Sequence, residues 1–304
     1  MLIDQFQSCP LLYSITPPKE HQDAATLSRI AATQLARIRQ LDIEGLILYD
    51  IQDETDRTDV ERPFPFLPTL DPFYYAENFL PDLKIPKIIY RCVGKHSRSD
   101  FIRWLELMQN EKYIAVFVGA ASKLQSQSLT LADAYFLKQR INPELRLGGV
   151  AIPERHRKHA TEHLRLHAKQ RSGCTFFVTQ AVYDVQLSKD LMSDYYCTTT
   201  EQAFGLSPLI FTFSICGSLK TLAFMKWLGV SFPKWLENEL THAHDIIEDS
   251  FDLCLNGMKE LIEFSRAKRI PIGFNIESVS NRKEEIDASV HLVNATRRLI
   301  NSYG

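Results

Sequence analysis

Glycine is scarce in this sequence, 12 of 304 residues against a usual share of roughly 7%, and neither GxGxxG nor GxxxxGKS/T occurs. A Rossmann or P-loop phosphate cradle therefore has no support. Surplus charge is missing as well. With 35 Lys+Arg against 37 Asp+Glu the formal net charge is −2, so the broad basic footprint that a nucleic-acid backbone requires is absent and nucleic acid is excluded as a partner. The six cysteines, Cys9, Cys92, Cys174, Cys197, Cys216 and Cys254, form no CxxC and no Cys/His pair at zinc-finger spacing, and are expected to be reduced, mostly buried thiols. No run is long and apolar enough to cross a bilayer, since the most apolar stretch, Leu206–Leu219, is short and interrupted. The first residues, MLIDQFQSCPLLYSI, lack a positive region ahead of a long apolar one, so a cytoplasmic protein without membrane contact is expected. What is present is ordinary: 45% hydrophobic and 24% charged residues, the composition of a chain with a sizeable core.

Short strand-like runs alternate with longer amphipathic stretches throughout, which predicts an α/β protein. The runs are 11–16, 45–49, 86–91, 113–118, 146–152, 174–179, 208–213 and 271–276. Between and after them, helices are predicted at 23–39, 73–79, 100–109, 129–140, 154–171, from about 184, at 219–228, 241–268 and 284–300. Eight strand–helix units with no linker and no break in composition predict a single (β/α)8 TIM barrel over 1–304, with an extended acidic loop at about 50–72 expected to be a flexible, solvated lid. In such a barrel functional groups gather at the C-terminal strand ends and the loops after them. The candidates by that rule are Ser14, Thr16, Asp50, Arg91, Gly119, Glu154, Gln180, Ser214, Asn275 and Glu277.

Several of these segments, LYSITPPK (12–19), GGVAIPERH (148–156), GCTFFVTQAVYD (173–184) and LIFTFSICGSLKTLAFMKWLGVSFPKWL (209–236), resemble methylenetetrahydrofolate reductases in order and spacing over nearly the whole chain. The likeness is greatest to the flavin-independent actinobacterial branch, which also has an acidic loop ending in Arg-Pro, an F-V-G strand end and an aliphatic-x-Glu at the eighth strand; here these are DIQDETDRTDVERP (50–63), FVG (117–119) and NIES (275–278). The resemblance implies reduction of 5,10-methylenetetrahydrofolate to 5-methyltetrahydrofolate with NAD(P)H as co-substrate, FAD being the carrier in the common branch. Opening the imidazolidine ring to an iminium calls for a proton donor beside N10 before hydride arrives.

The departures bear on that chemistry. The position of the family's catalytic Glu, three before the first proline of the Pro-Pro turn, is Ser14, a hydroxyl of no useful acidity near pH 7. Where the flavin-binding branch reads Arg-Gly-Asp, this chain reads Val118-Gly119-Ala120, losing charge-assisted contacts to a flavin edge; FAD is disfavoured. Two rivals to the reductase follow: a folate-dependent enzyme of altered reaction, transferring the methyl group from or oxidising methyltetrahydrofolate, and a non-catalytic folate-binding or partner-binding paralogue. The sequence leaves oligomeric state open, a homo-oligomer included.

Each site residue has a functional and a structural reading. Gln180, matching the family's folate-contacting Gln, offers a donor and an acceptor to a pterin edge, or bonds loop backbone. Glu277 lies two residues beyond Asn275 on one face of the last strand; with Ser14 in the acid's place it is the best available acid or pterin-orienting group, against a surface charge paired to Arg282. Asn275 joins the folate-binding candidates on that shared face. Arg91 suits a phosphate or the glutamate tail of folate, or a strand-end salt bridge to Asp50 or another acid. Glu154 could hold a ribose or adenine edge, or complement a helix dipole. Tyr183 and Asp184 sit where the family has an aromatic and an acid, though packing and N-capping explain them equally. With Arg91 and Glu154, Asp50 and Gly119 complete the candidate coenzyme contacts. Finally, His156, His159, His163 and His167 fall in one helical stripe. Flanked by Arg155, Arg157, Lys158 and Arg165, with no Glu or Cys to complete a site, they are expected to form a solvated face without metal.

Overall fold

Apolar runs too short for helices and rich in Ile, Val and Phe pair side by side as parallel strands. The computed structural model describes residues 9–109, 111–119, 128–201 and 205–304. Eight strands, β1 (Leu11–Ile15), β2 (Gly45–Leu48), β3 (Lys87–Cys92), β4 (Tyr113–Val118), β5 (Leu147–Ala151), β6 (Cys174–Ala181), β7 (Leu209–Ser214) and β8 (Ile272–Glu277), close in sequence order into one barrel. The parallel β1–β8 pairing, with Leu12 opposite Asn275, makes the seam. The outer helices are α1 (Ala24–Ile38), α2 (Pro72–Phe79), α3 (Arg98–Leu107), α4 (Leu131–Ile141), α5 (Pro153–His159), α6 (Glu162–Arg171), α7 (Val185–Glu201), α8 (Leu219–Trp227), α9 (Lys234–His242), α10 (Ile246–Lys268) and α11 (Lys283–Ser302). The protein is a single (β/α)8 TIM barrel, as the alternation predicted.

Two cores follow from the period of two along each strand. One face, with Leu12, Ile47, Ile88, Val116, Phe176 and Ile210, fills the barrel; the other packs against the helices. Phe176 is fully buried, and Gly148 makes room for it: a Cβ at that position would stand 2.4 Å from the Phe176 ring. Four of the six cysteines, Cys92, Cys174, Cys216 and Cys254, are buried, and all six are free thiols. No helix among the described residues is long and apolar enough to cross a membrane.

The structure corrects three expectations. The predicted helix 154–171 is two helices, broken where Ala160 takes a left-handed conformation (φ 47°); the fully buried Glu162 then reaches back to accept from the Ile152 amide at 3.1 Å, turning α6 against the end of β5. The predicted helix 241–268 begins at Ile246 instead. Asp245 caps it by accepting from the Ile247 and Glu248 amides, and the residues before it form the separate α9. The acidic loop is anchored and is not a free lid. Thr69 bridges to Lys19, the Trp227 indole donates to the Val60 carbonyl at 2.9 Å, and the Arg62 guanidinium lies about 5 Å from the Phe66, Phe224 and Trp227 ring centres. Counting the loop's acids overlooked its aromatic and arginine content, which favours apolar and cation–π contact over solvation.

Candidate active site

The inward phase set by Leu12, Ile47, Ile88 and Ile210 carries on, two residues at a time, to Ser14, Tyr49, Tyr90 and Thr212 near the C-terminal strand ends. On β8, register with Thr212 and Ser214 places Asn275 and Glu277 beside them. These side chains join in one polar layer. Ser14 Oγ donates to Asn275 Oδ1 at 2.8 Å; the Asn275 amide donates to the Tyr49 hydroxyl at 3.1 Å and to Thr212 Oγ1 at 3.2 Å; the Tyr49 hydroxyl lies near the Glu277 carboxylate and favours its charged form. Asn275 is wholly buried, with its acceptor and both donors used by protein, so it positions Tyr49 rather than meeting a ligand.

Glu277, half-buried at the mouth, is the titratable group of this layer. Burial pushes its carboxyl up to about 7, only partly opposed by the nearby Tyr49 hydroxyl. Burial and the Glu277 charge raise both Tyr49 and Tyr90, whose rings meet edge to face at 4.9 Å. The phenols therefore stay protonated while the carboxyl exchanges its proton near neutrality. Opposite Glu277 in register, Ser214 keeps a buried hydroxyl without a protein partner.

A second group forms at the β5 and β6 ends, around the turn after α8. Gln180 Nε2 donates to the Leu228 carbonyl at 2.8 Å, which turns its carbonyl edge the other way. The Ser231 amide donates to Glu154 at 3.3 Å, and the Ser231 hydroxyl donates to Asp184 at 3.2 Å. Arg157 pairs with Asp184 at 2.5 Å and reaches Ser231 as well. Burial pushes the Glu154 carboxyl up to about 7, and its second oxygen is buried without a partner.

The other candidates stand apart from these two groups. Arg91 faces outward, paired to Asp71 and stacked 5.0 Å over Trp104; this is the strand-end salt bridge, with Asp71 as its acid. Asp50 accepts from the Cys92 amide at 2.7 Å and pairs with Lys95 at 2.5 Å. Burial alone would raise its carboxyl, but the nearby His96 ring, the Lys95 hydrogen bond and the Lys95 charge hold it below the usual range, so it ties the β2 loop to β3. Tyr183 lies between the barrel and the helices, donating to the Ser214 carbonyl at 2.6 Å and stacking 4.4 Å from Phe232. The Gly119 carbonyl accepts from Gln52 at 3.2 Å, while Ala120 lies outside the described residues.

Sequence reasoning passed over Tyr49, Tyr90 and Thr212 because it took polar groups at the strand ends and in the loops after them without following which way each side chain faces. Following the inward phase from the buried isoleucines would have found them. The histidine stripe departs from expectation too: His156 and His167 are 5% and 2% exposed, because the break at Ala160 turns this face against α7 instead of solvent.

These features define a (β/α)8 barrel whose mouth carries a carboxyl titrating near neutrality above a hydrogen-bonded polar layer. No family model and no curated protein matches the sequence. Among solved structures, 98% of the chain matches all of an uncharacterized protein from Clostridium thermocellum that binds two copies of 5-methyl-5,6,7,8-tetrahydrofolic acid, at 46% identity and a TM-score of 0.88. The chain belongs to the family of that protein. Two more distant matches, dihydropteroate synthase from Thermus thermophilus in complex with 4-aminobenzoate and a 2,3-dimethylmalate lyase, are each 12% identical, with TM-scores of 0.43 and 0.42 and coverage of 95% and 100% of this chain and of 95% and 96% of theirs. At that distance neither bears on function.

Proposed function

We propose that the barrel mouth binds a reduced folate and that the protein reduces 5,10-methylenetetrahydrofolate to 5-methyltetrahydrofolate. The observation that carries this reading is the placement of Glu277, a half-buried mouth carboxyl in register with Ser214 beside the Ser14–Asn275–Tyr49 layer and pushed up to about 7 by burial, which supplies the proton donor missing at Ser14. The family relationship to a protein that binds 5-methyltetrahydrofolate supports the ligand class, and that compound is the product of the proposed reaction. Protonation of N10 by Glu277 breaks the N10–methylene bond and leaves an iminium at N5. NAD(P)H supplies the hydride that converts the iminium carbon to the methyl group. One proton and one hydride enter, and NAD(P)+ leaves. The raised carboxyl recovers its proton from water at neutral pH.

Direct transfer without flavin is supported at the β4 end. There Val118 packs on the apolar barrel interior and the Gly119 carbonyl is taken by Gln52, so neither offers charge to a flavin edge. In the other group, Gln180 presents an amide carbonyl to the donors of a pterin, with its orientation set by Leu228.

The test is the absorption spectrum of the purified protein, then oxidation of NADH and of NADPH with and without methylenetetrahydrofolate. A colourless protein whose nucleotide oxidation depends on folate is the expected result. A yellow protein overturns the flavin-free reading. Binding of 5-methyltetrahydrofolate without oxidation of either nucleotide overturns the reductase and leaves methyl transfer or simple binding.

A further inference from the structure

Away from the barrel mouth, the fold brings together three side chains that the proposed chemistry does not use. His156 lies on α5, His163 on α6 and Asp194 in the middle of α7, and one potential ligand atom from each lies within 4.8 Å of the others. The left-handed turn at Ala160 lets two histidines seven residues apart meet, their rings edge to face at 5.5 Å. His156 Nε2 stands 3.0 Å from an Asp194 carboxylate oxygen, close to the spacing of two ligands sharing one small cation. His156 is 5% exposed, and the Nδ1 atom of His163 is buried without a hydrogen-bond partner. Buried ring nitrogens with no partner are rare unless something else satisfies them.

The local charges agree. The guanidiniums of Arg157 and Arg165 are drawn off by Asp184 and Glu162, leaving the half-exposed Asp194 beside the imidazoles. We propose that His156, His163 and Asp194 form a binding site for a divalent transition-metal ion, zinc by its donor chemistry. Two imidazoles and one carboxylate are three protein ligands of a tetrahedral zinc site, with water in the fourth position on the exposed Asp194 side. Small side-chain rotations bring the donors to metal–ligand distances of about 2.0–2.2 Å. Calcium and magnesium, which take oxygen ligands, are disfavoured by the two nitrogens. The ion is a clamp and not a reaction centre. It ties α5 and α6 to α7, and α5 carries Glu154 and Arg157 to the barrel mouth.

The experiment strips the full-length protein with a chelator and titrates it with zinc and with cobalt(II), following stoichiometry, the visible spectrum and the melting temperature without any activity assay. Expected are one ion per chain, the visible absorption of four-coordinate cobalt, and a higher melting temperature with zinc. His163→Ala and Asp194→Ala should lose the stoichiometric site, and His159→Ala, at an exposed histidine of α5, should keep it. No stoichiometric binding by the wild type, or binding equally retained in His163→Ala, overturns the proposal. Should a variant fail to fold, X-ray absorption of the wild-type zinc complex decides. Two imidazole nitrogens with oxygen ligands support the site; any other shell overturns it.

Discussion

Ser14 and Asn275 are hydrogen-bonded across the seam of the barrel, hydroxyl to amide oxygen at 2.8 Å, although 261 positions separate them in the chain. Through this bond Ser14 sets the Asn275 amide and Asn275 sets the Tyr49 hydroxyl, which lies near the Glu277 carboxylate. Asn275→Ala strands several buried polar groups at once, each costing about 1–3 kcal/mol when left unsatisfied. We expect roughly 2–4 kcal/mol of destabilisation in urea unfolding. Ser14→Ala removes one hydroxyl and is expected to cost only about 1 kcal/mol, with turnover within a few-fold of wild type. A loss of turnover in Ser14→Ala as large as that of a catalytic acid would contradict a positioning role.

Glu277→Gln keeps the shape and removes the proton. Turnover should fall by about 10²–10⁴, the usual worth of general acid catalysis, with folate affinity nearly unchanged. In the proposed mechanism the protonated carboxyl is the active form, so turnover should decline as pH rises through about 7, and this limb should vanish in the variant. Steady-state kinetics across pH read both effects; an unaltered limb in Glu277→Gln assigns it to another group.

Gln180→Ala removes an amide whose orientation is set by Leu228. Loss of one or two hydrogen bonds to a pterin edge should raise the dissociation constant for 5-methyltetrahydrofolate by about 5–30-fold, or roughly 1–2 kcal/mol. Titration calorimetry measures it, and unchanged affinity would mean that Gln180 serves only the turn after α8.

Arg91 separates a buried tie from a ligand contact. Its guanidinium pairs with Asp71, which also caps α2 through the Phe73 and Tyr74 amides, and it stacks on Trp104. Arg91→Lys loses the planar fork and the stacking, and is expected to cost about 1–3 kcal/mol of stability with folate affinity unchanged. A weaker folate complex at full stability would restore Arg91 to the binding site.

The barrel was legible in the sequence because its signals are local. Eight apolar runs, each followed by an amphipathic stretch, need no long-range information to be recognised. The breaks that correct the helix map go with tertiary contacts instead: Ala160 is left-handed where buried Glu162 accepts from the Ile152 amide, and neither residue announces this in isolation. At the mouth, Ser14, Asn275 and Glu277 were found from strand ends and the shared β8 face, and the structure joins Ser14 and Asn275 through Tyr49 with Glu277 next along that face. Tyr49 and Tyr90 were missed, although both continue the inward phase of Ile47 and Ile88. Arg91 was misleading for the complementary reason, since an odd step from that phase points it into the helix layer. The histidine stripe had the right period and the wrong surroundings, because burial is decided by which helix packs over it.

Glu154 makes stability depend on pH in a direction that can be worked out. Burial moves its carboxyl from 4.5 in the unfolded chain to about 7 in the folded one. Between these values the unfolded state has released its proton and the folded state has not, so the unfolded state binds fewer protons and stability falls as pH rises. The loss is absent below about 4.5 and complete above about 7. Glu277, shifted in the same direction, adds to it. Glu154→Gln removes one source of the slope, so the variant should match wild type near pH 4 and be more stable by on the order of 1–3 kcal/mol at about pH 8. Urea unfolding of both proteins at the two pH values measures this. Parallel pH dependence would mean that the Glu154 carboxyl is solvated in the folded protein, and with it would go the argument that the β5 end holds a poised carboxyl facing the mouth.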